Sequence, residues 1–406
     1  MRPFFIIWLG QAFSRLGSQI VQFALIWYLT NTTGSATVLA IASIVGLLPQ
    51  VTLGPLAGTL VDRWDRRKVL IFADGIIALA TVILAFLFAF GRVQIWHIYS
   101  LMFIRALGGA FHSPAMTAST TLLVPQKHLV RIQGLNGALN GVIGIFSPML
   151  GALLLNLIPM QAIMAIDIGT ALFAILPLFF IPIPRPKQKD EKEVLSILAD
   201  LADGIKFLWS LPGLWLITLS HAAIYLLMMP AYSLIPIYVT DYLRGGALQL
   251  AWLQSSLAVG IVVGGLLLSV WGGFRRQVVT VLLATLISGL SWVVMGVTPQ
   301  SSFYIAVGAI FLGTTMNSIM VGSVSALGQT IIPPEMQGRL FAISITIINA
   351  MSATGLAIAG PTVDRVGVRF WFLLGGIVTT ILGIVPFFIP VVMEVEQRKI
   401  PETVRV

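Results

Sequence analysis

The chain has 406 residues, 57% of them hydrophobic and only 10% charged, with 24 Lys and Arg against 15 Asp and Glu. Soluble domains are nearer about 45–50% apolar and about a quarter charged, so an ordinary soluble globule is excluded and a polytopic membrane protein is indicated. Cysteine is absent, which rules out disulfides and thiolate metal sites. The net charge of +9 suits cytoplasmic loops better than a nucleic-acid surface, because the basic residues are spread over many loops.

A helix needs about 20 mostly apolar residues to cross the hydrocarbon core. Twelve stretches qualify: 4–29, 36–61, 69–90, 96–122, 131–157, 162–183, 214–239, 248–271, 277–297, 302–330, 337–362 and 369–392. The first is read as a retained span rather than a signal peptide: its apolar run is too long, it lacks a small-residue cleavage site, and the next span follows at once. An even number places both termini on one side. Of the 24 basic residues, eighteen then fall on the side of the termini and four (Arg92, Arg244, Arg365 and Arg369) on the other, with Arg15 and Arg105 inside spans. The positive-inside rule therefore puts both termini in the cytoplasm.

The longest polar stretch follows the sixth span. Within it, Leu195, Leu198, Leu201, Ile205 and Leu208 recur at helical spacing, which predicts a helix lying along the membrane interface. The expected organisation is a six-helix bundle over 1–183, an amphipathic linker over 184–213, a second six-helix bundle over 214–392 and a tail over 393–406. The halves also match at an offset of about 208 residues. Val124-Pro125 aligns with Ile332-Pro333, Arg131-Ile132 with Arg339-Leu340, and Arg66-Arg67 with Arg275-Arg276. Such repeats, related by an axis along the membrane normal, mark transporters whose substrate site lies between the halves at mid-membrane.

The loop after the second span carries six charges in seven positions, Asp62, Arg63, Asp65, Arg66, Arg67 and Lys68, behind Gly58. With six plus six spans, this loop resembles the major facilitator superfamily, whose motif there is Gly-x-x-x-Asp-Arg/Lys-x-Gly-Arg-Arg/Lys. Gly58, Asp62, Arg63, Arg66 and Arg67 are in register, and Asp65 stands where the family usually has glycine. Arg105-Ala-Leu-Gly108-Gly109 resembles the family's intramembrane arginine followed by glycine. Gly144-Ile-Phe-Ser147-Pro148-Met-Leu-Gly151-Ala152 resembles the exporter motif Gly-Pro-x-x-Gly-Gly, with Ser147 and Ala152 in place of two glycines. General likeness is greatest to the macrolide-efflux branch of bacterial drug exporters.

The resemblance implies an all-α membrane protein with 12 transmembrane helices in two pseudo-symmetric six-helix bundles, the major facilitator fold. It implies a monomeric, multi-pass exporter in the bacterial inner membrane that moves hydrophobic or amphipathic small molecules by proton-coupled alternating access. The proton is its coupling ion, and no cofactor, metal or nucleic acid is involved. A lysophospholipid or other lipid as cargo is the alternative. An enzyme is not indicated, since no His-Glu-x-x-His, no Gly-x-Ser-x-Gly and no cluster of acids within a span is present.

The motif residues carry expectations of their own. Asp62 would dock on the start of span eleven, near Glu335 to Gly338, because a helix N-terminus attracts an anion. Arg63, Arg66 and Arg67 would hold it there, and Gly58 would let helices pack closely. Arg105 sits about ten residues into span four, where a charge costs at least about 2.5–3.5 kcal/mol. It either faces a cavity and tunes proton coupling or is pinned to neighbouring helices.

Gln11, Arg15, Ser18 and Gln22 share one face of span one, which must look toward a cavity or another helix. Asp74, near the inner end of span three, and Asp167, near the outer start of span six, are candidates to carry protons, or else are ion-paired. On span five, Gln133, Asn136 and Asn140 form a polar stripe and Gly137, Gly141 and Gly144 a packing seam, while Pro148 should bend the helix. The second half offers His221, Tyr225, Tyr232, Gln254, Asn317 and Asn349, and Met228-Met229-Pro230 should break span seven. Aromatics, methionines and a few neutral polar groups suit a bulky amphipathic substrate, although His221 equally fits a packing role.

Overall fold

The computed structural model describes residues 1–183, 209, 211–332 and 334–396, and among them there are helices, turns and no strand. Among the described residues, twelve helices are long. The first half holds α1 (Arg2–Thr33), α2 (Ala36–Arg63), α3 (Arg66–Ala89), α4 (Ile95–Leu123), α5 (Leu129–Leu157) and α6 (Met160–Phe180). The second holds α7 (Pro212–Ser233), α8 (Ala247–Trp271), α9 (Gln277–Val297), α10 (Phe303–Ile331), α11 (Pro334–Val366) and α12 (Val368–Ile384). Among the described residues, ten of these are long and apolar enough to cross a membrane. The other two, α1 and α4, carry Gln11, Arg15, Ser18 and Gln22, and Arg105 and His112; their length and their packing against the remaining helices place them in the bundle. The interfacial helix expected over 195–208 lies outside the described residues.

The chain divides into two units, residues 1–189 with 239–241 and 245–255, and residues 190–238 with 242–244 and 256–406. In the first, α1 packs on α5 and α6, α3 on α4 and α6, and α2 on α4. In the second, α7 packs on α11 and α12, α9 on α10 and α12, and α8 on α10, where Gly260 and Gly264 meet Thr314 and Thr315. These pairings correspond one for one at a shift of six helices, which is the structural counterpart of the sequence repeat.

Local chemistry sets the boundaries. Gly34 takes φ 58° after α1, a left-handed turn that a side chain disfavours, and its N–H closes on Thr30 O. Ser35 then caps α2 by accepting from Val38 N. Proline and glycine act together where helices cross. Pro177 has no N–H to give Phe173 O, and Gly10 of α1 packs so closely there that a Cβ would stand 2.5 Å from that oxygen. Pro230 frees Leu226 O in the same way, and Gly355 of α11 fills the space in front of it. Small residues thus bring backbone to backbone where proline has left a carbonyl without its helical partner.

Pro230 therefore does not break span seven where Met228-Met229-Pro230 suggested. Helix α7 runs through it to Ser233, and the irregularity comes later, as a short helix (Ile235–Ile237) and a π turn (Tyr238–Tyr242). Span twelve likewise ends as helix at Ile384, followed by a 3-10 turn (Val385–Phe388).

Candidate functional site

The polar residues of α1, α3, α4 and α6 meet inside the first bundle in two clusters. Asp167 is 2% exposed and lies seven residues beyond the start of α6, about 10 Å along the helix. Arg105 Nη1 stands 2.7 Å from Asp167 Oδ2 and 3.2 Å from Thr81 Oγ, and Nη2 donates to Ser18 O at 3.0 Å. Ser18 Oγ donates to Asp167 Oδ1 at 3.0 Å. Both carboxylate oxygens are therefore engaged, and the guanidinium spans three helices with a planar fork suited to that task. Glycine makes the approach possible: a Cβ on Gly17 would stand 3.3 Å from Asp167 Oδ1 and run into Thr170 Oγ1.

The second cluster joins Asp74 of α3, Gln11 of α1 and His112 of α4. Gln11 Nε2 donates to Asp74 Oδ2 at 2.8 Å, and Gln11 Oε1 lies 2.9 Å from His112 Nε2. The same Nε2 is 3.4 Å from Asp74 Oδ1. Asp74 lies eight residues into α3, about 12 Å from its start. Gly108 of α4 packs on Ile77 and Ala73 O, which closes α3 against α4 beside this cluster. Below it, Trp8 Nε1 donates to Asn136 Oδ1 at 2.6 Å, tying α1 to α5.

His112 and Thr81 join these clusters although the sequence reading did not single them out. The signal for His112 was present: it follows Arg105 by seven residues, two turns along the same face. Arg15 is exposed and Gln22 half-buried, so only Gln11 and Ser18 of the α1 stripe turn into these clusters.

The charged loop is built differently from expectation. Asp65 caps α3, accepting from Arg67 N at 3.1 Å and Lys68 N at 3.4 Å. Arg67 reaches the end of α6, its Nε donating to Leu178 O and its Nη2 to Phe179 O at 2.5 Å, because a helix C-terminus offers unpaired carbonyls and partial negative charge. Arg66 is buried. The side chains of Asp62, Arg63, Glu335 and Gly338 lie outside the described residues. Among the described residues no atom lies within 4 Å of the Gly58 Cβ position, and Gly58 lines a groove of about 610 Å³ with Gly54, Gly109 and Ser113 between α2 and α4. The corresponding loop of the second half has no cap of this kind. Gly272 (φ 75°) and Gly273 (φ 82°) turn the chain, and Thr280 Oγ1 accepts from Phe274 N at 2.9 Å.

On α5 the helix continues through Pro148. Gly151 supports packing, its Cβ position lying 2.7 Å from the Phe23 ring, and Gly144 is half-buried. Gly137 faces open space rather than a packing seam, and Gln133 and Asn140 are exposed.

In the second unit, His221 is buried and its Nδ1 lies 3.0 Å from Ile217 O of its own helix. Tyr225 and Asn317 are half-buried, and among the described residues no hydrogen bond joins them to His221. Tyr232 packs edge-on against Trp292, which stacks on Phe372. Tyr238 sits edge-on to Phe372 and donates to Met295 O, and Arg369 lies 4.7 Å over the Tyr242 ring. Among the described residues, the interior of the second bundle is thus aromatic and, apart from half-buried Arg369, uncharged, where that of the first holds an ion pair.

Residues 7–356 match the model of the Major Facilitator Superfamily. The chain is 35% identical over 382 residues to macrolide efflux protein A of Streptococcus pyogenes, covering 94% of each chain. It is 26% identical over 416 residues to the multidrug efflux pump Tap of Mycolicibacterium fortuitum, covering 98% of each. Its fold is similar to that of a POT family transporter solved with a thioalcohol-conjugated peptide, with TM-score 0.73, 12% identity, and coverage of 97% of this chain and 96% of that one. Twelve long helices in two matching bundles, the charged loop between α2 and α3 and these likenesses lead to one statement: the chain is a multi-pass membrane transporter, not an enzyme, and belongs to the major facilitator superfamily, in the branch that includes macrolide efflux protein A and Tap.

Proposed function

We propose that this protein exports hydrophobic or amphipathic small molecules, macrolides among them, from a bacterial cytoplasm across the inner membrane, driven by proton antiport through alternating access. The observation that carries the cargo is the 35% identity to macrolide efflux protein A across 94% of both chains. Support for proton coupling comes from the first bundle, where the buried carboxylate of Asp74 meets only the amide of Gln11 and the imidazole of His112. The neutral aromatic interior of the second bundle suits a bulky apolar ligand. Both termini face the cytoplasm on the distribution of Lys and Arg, and the protein acts as a monomer without cofactor. Asp62 serves as a latch at the end of α2.

Expression in an efflux-deficient bacterium tests this reading. Resistance to macrolides should rise and should fall back when a protonophore collapses the proton gradient. Resistance that survives the protonophore would refute proton antiport, and no change in resistance to any amphipathic drug would refute the cargo.

A further inference from the structure

The two buried clusters differ in how their charge is balanced. Asp167 faces the guanidinium of Arg105 at 2.7 Å, and the guanidinium is a fixed positive charge. The other oxygen of Asp167 is held by Ser18. Protonating Asp167 would strand a buried guanidinium, which is costly. Asp74 has no such partner. Its contacts are the neutral amide of Gln11 and the imidazole of His112.

The ionisable groups of the surrounding helices are few. Helix α6 brings only Asp167 and α4 brings Arg105 and His112 to this depth. Asp62 and Arg63 of α2 stand at its last turn, and Arg15 of α1 is exposed. With Arg105 and Asp167 cancelling each other, the second cluster is negative when His112 is neutral and becomes neutral on gaining a proton.

We propose that Asp74, Gln11 and His112 form a proton-binding site that Arg105 and Asp167, as a fixed ion pair, do not share. His112 Nε2 faces two acceptors, Gln11 Oε1 and Asp74 Oδ1, so it carries a hydrogen in every state. The incoming proton goes either to Nδ1, giving an imidazolium–carboxylate pair, or to Asp74. Gln11 accepts from the imidazole through one end of its amide and donates to the carboxylate through the other, which keeps the two groups in register. The pair gains and loses its proton as a unit. As a site that drives export it rests on the antiport reading above; as a site that binds a proton it stands without it.

The test is a count of protons taken up by the purified full-length protein in detergent when pH is lowered from about 8 to about 6, the range in which histidine titrates, followed with an indicator dye. The double variant Asp74→Asn/His112→Gln should take up about one proton fewer than wild type, as expected for a pair that titrates together. The single variants should shift the midpoint of the uptake. Arg105→Gln/Asp167→Asn should match wild type. Where that variant is not recovered, Arg105→Lys, which keeps the charge, serves in its place.

Equal uptake by wild type and Asp74→Asn/His112→Gln would overturn the proposal. So would a loss of uptake confined to the Arg105 and Asp167 variants. Normal uptake at the Asp74 site with macrolide transport indifferent to a pH gradient would leave the site standing and refute proton-driven export instead.

Discussion

Arg105 of α4 and Asp167 of α6 meet at 2.7 Å inside the first bundle, with the arginine also bound to the backbone of α1 at Ser18. One side chain thereby holds three helices at a depth where neither charge could stand alone. Removing one partner of such a pair costs about 3–5 kcal/mol, because the other charge stays buried. Asp167→Asn and Arg105→Gln should each lower the thermal unfolding midpoint strongly, and the double variant should recover most of the loss. Unfolding of all three proteins followed by intrinsic fluorescence checks this.

Glycine at the helix crossings should be hard to replace. A Cβ on Gly355 would collide with Leu226 O, so Gly355→Ala must push α7 from α11, at about 1–3 kcal/mol for overpacking. Gly137→Ala, with open space at its Cβ position, should be neutral or slightly stabilising. A comparison of melting points in the same detergent separates the two.

The loop between α2 and α3 yields a sharper contrast. Asp65 occupies the position where the family usually has glycine, and it caps α3. Asp65→Ala should cost about 1 kcal/mol, and Asp65→Gly only a few tenths, because glycine is itself an acceptable N-cap. Arg67→Ala removes two donors from the carbonyl end of α6 and should cost about 1–2 kcal/mol, since bonds from a charged group are stronger than neutral ones. Urea titration of the purified variants ranks them.

Asp62→Asn tests the latch. Macrolide export in proteoliposomes should fall at least about tenfold, equivalent to about 1.4 kcal/mol of lost bias between conformations. Thermal stability should stay near wild type, which distinguishes a gating defect from a folding defect.

Much of this architecture was legible in the amino-acid order. A shortage of charge and runs of about 20 apolar residues locate the twelve helices, because the hydrocarbon core tolerates little else. Arg105 announces itself as a buried charge needing a partner. Which partner it takes was not legible, since helical spacing says what shares a face of one helix and nothing about which helix comes next to it. Asp74 and Asp167, expected near the ends of their spans, lie about two turns into their helices. His112 was passed over because it sits among small residues in an otherwise unremarkable stretch, and only the approach of α1 and α3 gives it Gln11 and Asp74 as neighbours. The partners of Arg67 were hidden for the same reason: they lie on α6, more than a hundred residues away in the chain.

The measurement that bears most directly on the account is transport of a labelled macrolide into inside-out membrane vesicles under an imposed pH gradient, acidic within. Uptake by wild type should exceed that of vesicles treated with a proton–potassium exchanger at least about tenfold, and Asp74→Asn should transport equally with and without the gradient. Macrolide accumulation that ignores the gradient in wild type, or that follows it undiminished in Asp74→Asn, would contradict the account.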